Sequence, residues 1–463
     1  MEDILWFNEI SRDNLYEVGE KAVNLAGLVK LGLPMPPGFV ISSYVFHEFL
    51  HGNQIRGKIV ESLKNLDVDN SELLRNVSTK IQEMILKAEI PDYIKEDILE
   101  NYDNLNVSAK IFSKLNKDAL SIIRAGKETP YVAIRSSIVS EKDFNFNGLQ
   151  KTYINIKGNN KVLEAVQRCW ASLFMPKVIF YIVKNNINIE KVSTAIIVQK
   201  MINSDKSGVI FPINPSNNNV NEILIEAGFG LGEAIVSGDI TPDRYTFDKK
   251  DFKLKDTIIG DKEWIYVWDD YRNETVRRKL DFEKRNEQVL SKYEIEKLAD
   301  FSNVIEEQYG KGCNIEFGID RGKVYILHYK QINLKELKAE GIPVKGEVIV
   351  KGISVCPGIV KGSVKVVRCI EDLSKINSGD ILVTRITKPD YIDIIKKVSA
   401  IITDVGGVTS DAAIISRENE IPCVVGTENG SSVLKDEMFI TVDATNGRIY
   451  EGDVDLEENE ELD

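Results

Sequence analysis

The sequence predicts an α+β unit followed by a smaller α/β unit, on three observations. Between residues 130 and 333, short β-branched runs recur (YVAIRSS, TAIIVQKMI, GVIFPI, EILIEA, KVYILHYKQI), separated by Gly, Asn and Pro clusters. That is the pattern of a sheet with helices on a face. From 347 to 452 the runs GDILVT, AIITD, PCVVG and FITVD alternate with helical segments, as central strands of a small α/β domain do. Between the two lies NLKELKAEGIPVKGE, polar, mostly charged and read as a linker.

The elements follow in order. KAVNLAGLVKLG places Ala22, Leu25, Leu28 and Val29 on one helical face, and Gly32 ends the helix. MPPGFVIS is a Pro-Gly turn entering a strand. From about residue 51 to 117 the sequence is polar with helical periodicity (KIVESLKNL, NVSTKIQEMILKA), a helical insertion. The charged helical stretch LDFEKRNEQVLSKYEIEKLADFSNVIEEQYG precedes the last strand of the first unit. The expected organisation is therefore a domain at 1–333, a linker at 334–346, a second domain at 347–452 and an acidic tail at 453–463.

Composition sets the bounds. The 463 residues are 43% hydrophobic and 28% charged, enough apolar residue for two to four cores and too much for a disordered chain. The formal charge of −13 argues against a nucleic-acid partner, which needs a basic footprint. The stretch EGDVDLEENEELD carries eight acids and no base and reads as a solvated terminus. No apolar run approaches the ~18 residues of a membrane span, and MEDILWFNEI lacks the basic and apolar regions of a signal peptide. Five scattered cysteines without a CxxC indicate neither a zinc site nor a disulfide framework, and fit a cytoplasmic location.

Four segments carry chemistry. VGEKAVNLAGL sets Lys21 at a helix start, where an ammonium beside backbone N–H groups contacts phosphate; a solvated lysine has the same look. In AIRSS, Arg135 ends a strand ahead of a Gly-containing loop, suited either to a bidentate phosphate contact or to a surface ion pair. EAGFGLGEAIVSG brings Gly228, Gly230 and Gly232 into a helix start, where backbone can approach a ligand closely. NIEFGIDRGKVYILHYKQ is a β-hairpin with an Asp-Arg-Gly turn; Glu316 and His328 share a face as metal ligands or as a structural cross-strand pair.

Taken together and in order, VGEKAVNLAGLVKLGLPMPPGFVI, AIRSS, FNGLQKTY, CWASLFMPKVIFY, VQKMINSDKSGVIF, IEAGFGLGEAIVSGDITPDRY and IEFGIDRGKVYIL resemble the nucleotide-binding domain of the phosphoenolpyruvate synthase, pyruvate phosphate dikinase and rifampicin phosphotransferase superfamily. The resemblance covers residues 5–333. GDILVTRITKPD, AIITDVGGVTSDAAIISRENEIPCVVG and FITVDATNGRIYEG resemble the swivelling phosphohistidine domain of the same superfamily over roughly 347–452. It implies an ATP-grasp fold clamping ATP and Mg2+. Lys21, Arg135, Gly148 and Thr152 would meet the phosphates, Gln199 the adenine, and Glu316 the metal. It further implies transfer of a phosphoryl group to a carrier histidine, with ATP leaving as AMP and phosphate.

Three departures qualify this. After Gly-Gly-x-Thr-Ser, where the superfamily carries histidine, the sequence has Asp411, in the first turn of a helix with Thr409 or Ser410 as N-cap. The usual Gln-x-Arg-Pro reads His328, Tyr329, Lys330, Gln331: a metal ligand and a phosphate-gripping arginine become His328 and Lys330, and lysine lacks the bidentate fork. These residues include no barrel of ~250 residues for an acceptor. Asp411 has three readings: a helix-start acid in an altered carrier site, an aspartyl-phosphate carrier, or a general base. The expected function is ATP-dependent, dikinase-like phosphoryl transfer to a small molecule or to a separate acceptor-domain protein. The alternatives are a non-catalytic nucleotide-binding regulator and an ATP-grasp enzyme that activates a carboxylate.

Overall fold

The computed structural model describes residues 2–64, 66–106, 128–140, 150–217, 219–269, 271–272, 274–310, 312–331, 346–387 and 391–454. By contact density the chain forms two bodies, Met1–Ile202 and Asn203–Asp463.

The first body is a five-stranded antiparallel sheet with helices on both faces. Its strands are β1 (Ile4–Trp6), β2 (Gly38–Ile41), β3 (Val132–Ser140), β4 (Thr152–Ile156) and β5 (Val192–Lys200), in the order β1-β2-β5-β3-β4. Strand alternation divides the apolar residues. Phe39, Ile196 and Val198 face one core, with Phe49 and Trp170 stacked at 4.7 Å. Val40, Ala195 and Ile197 face the other, covered by α1 (Leu15–Lys30) through Val18, Ala22 and Leu25. The first core is closed by α2 (Ser43–Gly52), α3 (Arg56–Leu63), α4 (Ser71–Lys87), α5 (Asp92–Asn104), α6 (Asn159–Ser172) and α7 (Pro176–Lys184). On α4, Leu74, Ser78, Ile81 and Ile85 are buried at helical spacing, and the Asn70 side chain caps its start by accepting from Leu73 N. Of the stretch expected as a helical insertion, 107–117 lies outside the described residues.

The second body begins with a six-stranded antiparallel sheet in the order β13-β12-β6-β7-β8-β9. The strands are β6 (Lys206–Phe211), β7 (Glu222–Phe229), β8 (Asp243–Asp248), β9 (Lys253–Ile258), β12 (Cys313–Asp320) and β13 (Lys323–Gln331); β10 (Trp264–Asp269) and β11 (Glu274–Lys279) form a separate hairpin. The β12–β13 turn has Arg321 at φ 49° and Gly322 at φ 76°, the two positive values of a tight hairpin turn. Helix α8 (Lys292–Tyr309), opened by a Ser291–Glu294 capping box, packs against β6, β7, β9 and β13.

The other face of this sheet carries the small domain: Val209, Phe211 and Leu224 share one core with Val355, Val408 and Ala412. That domain has eight strands in the order β14-β21-β20-β16-β17-β18-β19-β15, namely β14 (Val348–Lys351), β15 (Ile353–Cys356), β16 (Ile359–Val367), β17 (Ile381–Thr384), β18 (Ala400–Thr403), β19 (Cys423–Val425), β20 (Phe439–Asp443) and β21 (Arg448–Glu451). The stretch β16–β19 is parallel. Every residue of β17 and β18 is buried, as strands covered on both faces must be. Only Gly352 separates β14 from β15, so the two ends of the strand order meet and the sheet curls round on itself. The sequence-predicted fold class, mixed α and β followed by a small α/β domain, is the one observed.

Candidate functional site

In the first body, the residues expected at the phosphates gather on one face. Alternation along β3 puts Arg135 on the same side as Val139, which packs against α1. Thr152 is directly opposite Arg135 on β4. Along β5, Gln199 continues the series Ala195, Ile197 on that face and pairs with Ala133. Helix α1, which carries Lys21, covers it. The helix comes this close because Gly19 interrupts it at φ 77°; a Cβ there would stand 2.5 Å from Ser137 Oγ and 2.8 Å from Ile138 O. Gln199 is buried, and among the described residues its Nε2 has no hydrogen-bond partner, leaving a donor able to meet an acceptor. Burial pushes the Cys169 thiol up to about 12, against the pull of the Lys21 ammonium. Gly148 lies outside the described residues.

In the second body, Glu316 and His328 are register partners across β12 and β13, beside a bulge at Glu316/Phe317. His328 Nδ1 stands 3.8 Å from Glu316 Oε1, too far for a hydrogen bond. Two ligands of one Mg2+ stand roughly 3–4 Å apart, so the spacing suits a shared ion. Lys330 is opposite Asn314, whose buried Oδ1 has no hydrogen-bond partner among the described residues. Asn314 went unnoticed in the sequence; it lies two residues before Glu316 on the same strand face. Among the described residues, no group of three or more His, Cys, Asp or Glu is placed to hold a metal.

The register extends this row across the sheet: His328, Glu316, Val209, Glu226, Arg244, one residue per strand from β13 to β8, all on one face. That face meets the loop leading to Asp411. Glu226, fully buried, accepts a hydrogen bond from Val408 N on Oε1 (2.8 Å) and one from Thr409 Oγ1 on Oε2 (3.0 Å). Burial raises the Glu226 carboxyl, while Arg244 and the two donors pull it back. Asp411 opens α9 (Asp411–Asn419), whose N-cap is Ser410, accepting from Ala413 N at 3.4 Å, rather than Thr409. Thr409 is engaged by Glu226 instead. Arg417 of the same helix donates to Val408 O at 2.7 Å. Glu226 was legible only as the second of two acids in the strand-like run EILIEA, after Glu222.

In the Gly-rich segment Gly228 and Gly230 make room for neighbouring protein, whereas a Cβ on Gly232, at the start of the short helix Glu233–Val236, would have only Ser207 within 4 Å, at 3.6 Å. A Cβ on Gly230 would stand 2.5 Å from Tyr266 O, and one on Gly228 2.8 Å from Ile240 Cδ1. The close neighbours of these two glycines are the β10 backbone and core isoleucines.

One sheet thus gathers Arg135, Thr152 and Gln199 on the face covered by the helix that carries Lys21, and a second sheet seats the helix-start loop of a small α/β domain. Residues 15–346 match the family "Pyruvate phosphate dikinase, AMP/ATP-binding domain", and residues 376–447 match "PEP-utilising enzyme, mobile domain". The chain belongs to this pyruvate phosphate dikinase and phosphoenolpyruvate synthase family. It is 40% identical over 454 residues to the probable phosphoenolpyruvate synthase of Methanothermobacter thermautotrophicus, covering 97% of this chain and 64% of that one. It is 41% identical over 463 residues to the corresponding probable enzyme of Archaeoglobus fulgidus (98% and 59%), and 37% identical over 499 residues to the phosphoenolpyruvate synthase of Pyrococcus furiosus (97% and 58%). The chain thus spans 58–64% of the length of these relatives. Among the described residues no helix is long and apolar enough to cross a membrane.

Proposed function

We propose that the chain is an ATP-dependent phosphotransferase of the phosphoenolpyruvate synthase type, with an ATP-grasp nucleotide site and an altered carrier position at Asp411. The observation that carries this reading is the seating of the loop before Asp411 on the sheet face that bears Glu316 and His328. A carrier must reach the phosphates where the metal neutralises them, and this loop lies on that row.

In this reading Lys21, Arg135, Gly148 and Thr152 hold the phosphates, and Gln199 offers its Nε2, without a partner among the described residues, to the base. Glu316, with Asn314 and His328 beside it, would hold Mg2+, which when bound neutralises charge developing on the transferred group. Lys330 supplies a point charge where the superfamily uses an arginine fork. Position 411 receives the phosphoryl group and passes it to a small molecule or to a separate acceptor-domain protein. The five cysteines are free thiols, which supports placing this activity in the cytoplasm.

The test is labelling from ATP. Asp411→His should yield a phosphoenzyme that is acid-labile and base-stable, as phosphoramidates are. If Asp411 is itself the carrier, the native chain takes label that hydroxylamine removes, and Asp411→Asn abolishes it. No label in either chain and no AMP formed, with ATP still bound, refutes the phosphotransferase reading and leaves a nucleotide-binding regulator.

A further inference from the structure

We propose that Glu226 is a positioning residue, whose carboxylate seats the loop Gly406–Ser410 on the six-stranded sheet and thereby sets where position 411 stands relative to Glu316 and His328. The seat is read from geometry alone; its consequence for transfer rests on the function proposed above.

All eight residues of β7 are buried, and a carboxylate within such a strand is unfavourable unless fully partnered. Arg244, on β8, stands beside Glu226, whose two hydrogen-bond donors come from outside its own sheet. One oxygen takes the backbone N–H of Val408 and the other the hydroxyl of Thr409. Two consecutive residues held by two oxygens fix both the height and the rotation of the loop. From the opposite side, Arg417 grips the carbonyl of the same residue, Val408. The Val408 residue is therefore clamped at its N–H by the sheet and at its C=O by the helix that position 411 begins.

The backbone is shaped for this contact. A Cβ on Gly407 would stand 2.4 Å from Glu226 Oε1. On the sheet side, Gly238 has φ +74°, and a Cβ on it would be 2.9 Å from Ser410 Cβ. Both surfaces are thus reduced to bare backbone where the loop docks. Glu226 lies two strands from Glu316, with only Val209 between them, a separation of ~10 Å at ordinary strand spacing. Position 411 is two residues beyond Thr409, at most ~7 Å of chain. The seat therefore fixes, through Thr409, where that position stands relative to Glu316 and His328.

The experiment compares the full-length native chain with Glu226→Ala, Glu226→Gln and Thr409→Val. Hydrogen exchange at the Val408 amide reads the seat directly. Glu226→Ala should speed it tenfold or more, the loss expected of a hydrogen bond to a charged group. Thr409→Val should speed it less, and Glu226→Gln, which keeps one acceptor oxygen, should fall between native and Ala. ATP affinity by calorimetry should stay within twofold in all three. In the Asp411→His background, Glu226→Ala should slow labelling from ATP at least tenfold, and Glu226→Gln should restore part of the rate. If Val408 exchange is the same in native and Glu226→Ala chains, the proposal is overturned. Should Glu226→Ala fail to fold, Thr409→Val decides in its place: unchanged Val408 exchange there overturns the seat. If Asp411→His takes no label with Glu226 intact and no AMP forms, the phosphoryl-transfer reading fails, while the exchange result still decides the seat.

Discussion

Replacing Gly407 by alanine tests the docked arrangement with a single methyl group. Its backbone has no positive φ, so alanine brings no conformational strain of its own. The added Cβ would stand 2.4 and 2.7 Å from the two Glu226 oxygens and 2.8 Å from the carboxyl carbon. Ordinary contact begins near 3.4 Å, so the carboxylate must retreat by about 1 Å. A retreat of that size carries bonds of 2.8 and 3.0 Å beyond hydrogen-bonding range. Losing one charge-assisted bond costs ~1.5–3 kcal/mol, which is a shift of ~10–150-fold in the ratio of docked to undocked molecules. The assay is pulsed EPR between spin labels at exposed Tyr293 on α8 and exposed Phe439 at the start of β20, each changed to cysteine in a Cys369→Ser background. Gly407→Ala should broaden the distance distribution and add a long component. In a Glu226→Ala chain the same substitution should add nothing further, since its collision partner is gone. A narrow, native distribution in Gly407→Ala would refute the reasoning.

Other outcomes follow from the same coordinates. Lys21→Ala and Glu316→Ala should each weaken ATP binding by ~1.5–3 kcal/mol, the second only when Mg2+ is present; calorimetry with unchanged affinity in both variants rejects the assigned site. Asp243 and Lys262 form a completely buried ion pair, and Asp243 also accepts from Gly260 N, Tyr245 Oη and Val289 N. Asp243→Ala strands a buried ammonium and should cost ~3–5 kcal/mol in denaturant unfolding; a loss below ~1 kcal/mol would contradict the buried geometry. Among the thiols, burial holds Cys169, Cys313 and Cys423 up at about 12 and Cys356 at about 11, while Cys369 is exposed. A thiol reagent near neutral pH should therefore modify Cys369 alone in the native chain and all five cysteines in denaturant, with mass spectrometry identifying the site.

Much of this was legible in the sequence because its signals are local. The β-branched runs became β3, β5, β6, β7 and β13, since alternation and turn residues act within a few positions. The Asp-Arg-Gly turn declared the β12–β13 hairpin, and with it the Glu316–His328 pairing. What escaped is what sheet register creates. Glu226 and Glu316 are 90 positions apart, and nothing local says that β6 lies between them with Val209 at the crossing. Asn314 looked like an ordinary polar strand residue until its oxygen proved buried without a partner among the described residues. Gly228 and Gly230 misled for the converse reason. A glycine reports that something comes close, and only the fold says whether it is a ligand or, as at Gly230, the backbone of Tyr266.

The closure of the small domain at Gly352 bears on how the chain is made. Its first strand, β14, pairs with its last, β21, Val348 lying opposite Tyr450, while the neighbouring strand β15 pairs with β19. During synthesis β14 emerges early and has no partner until about a hundred further residues have followed. Until then it is an exposed apolar strand with open hydrogen-bonding edges, the kind that pairs with another chain. Such long-range pairing also forms slowly. The small domain is thus a stage of biogenesis at which this protein needs shielding by a chaperone. A nascent chain stopped anywhere before Arg448 would carry that unsatisfied edge in full.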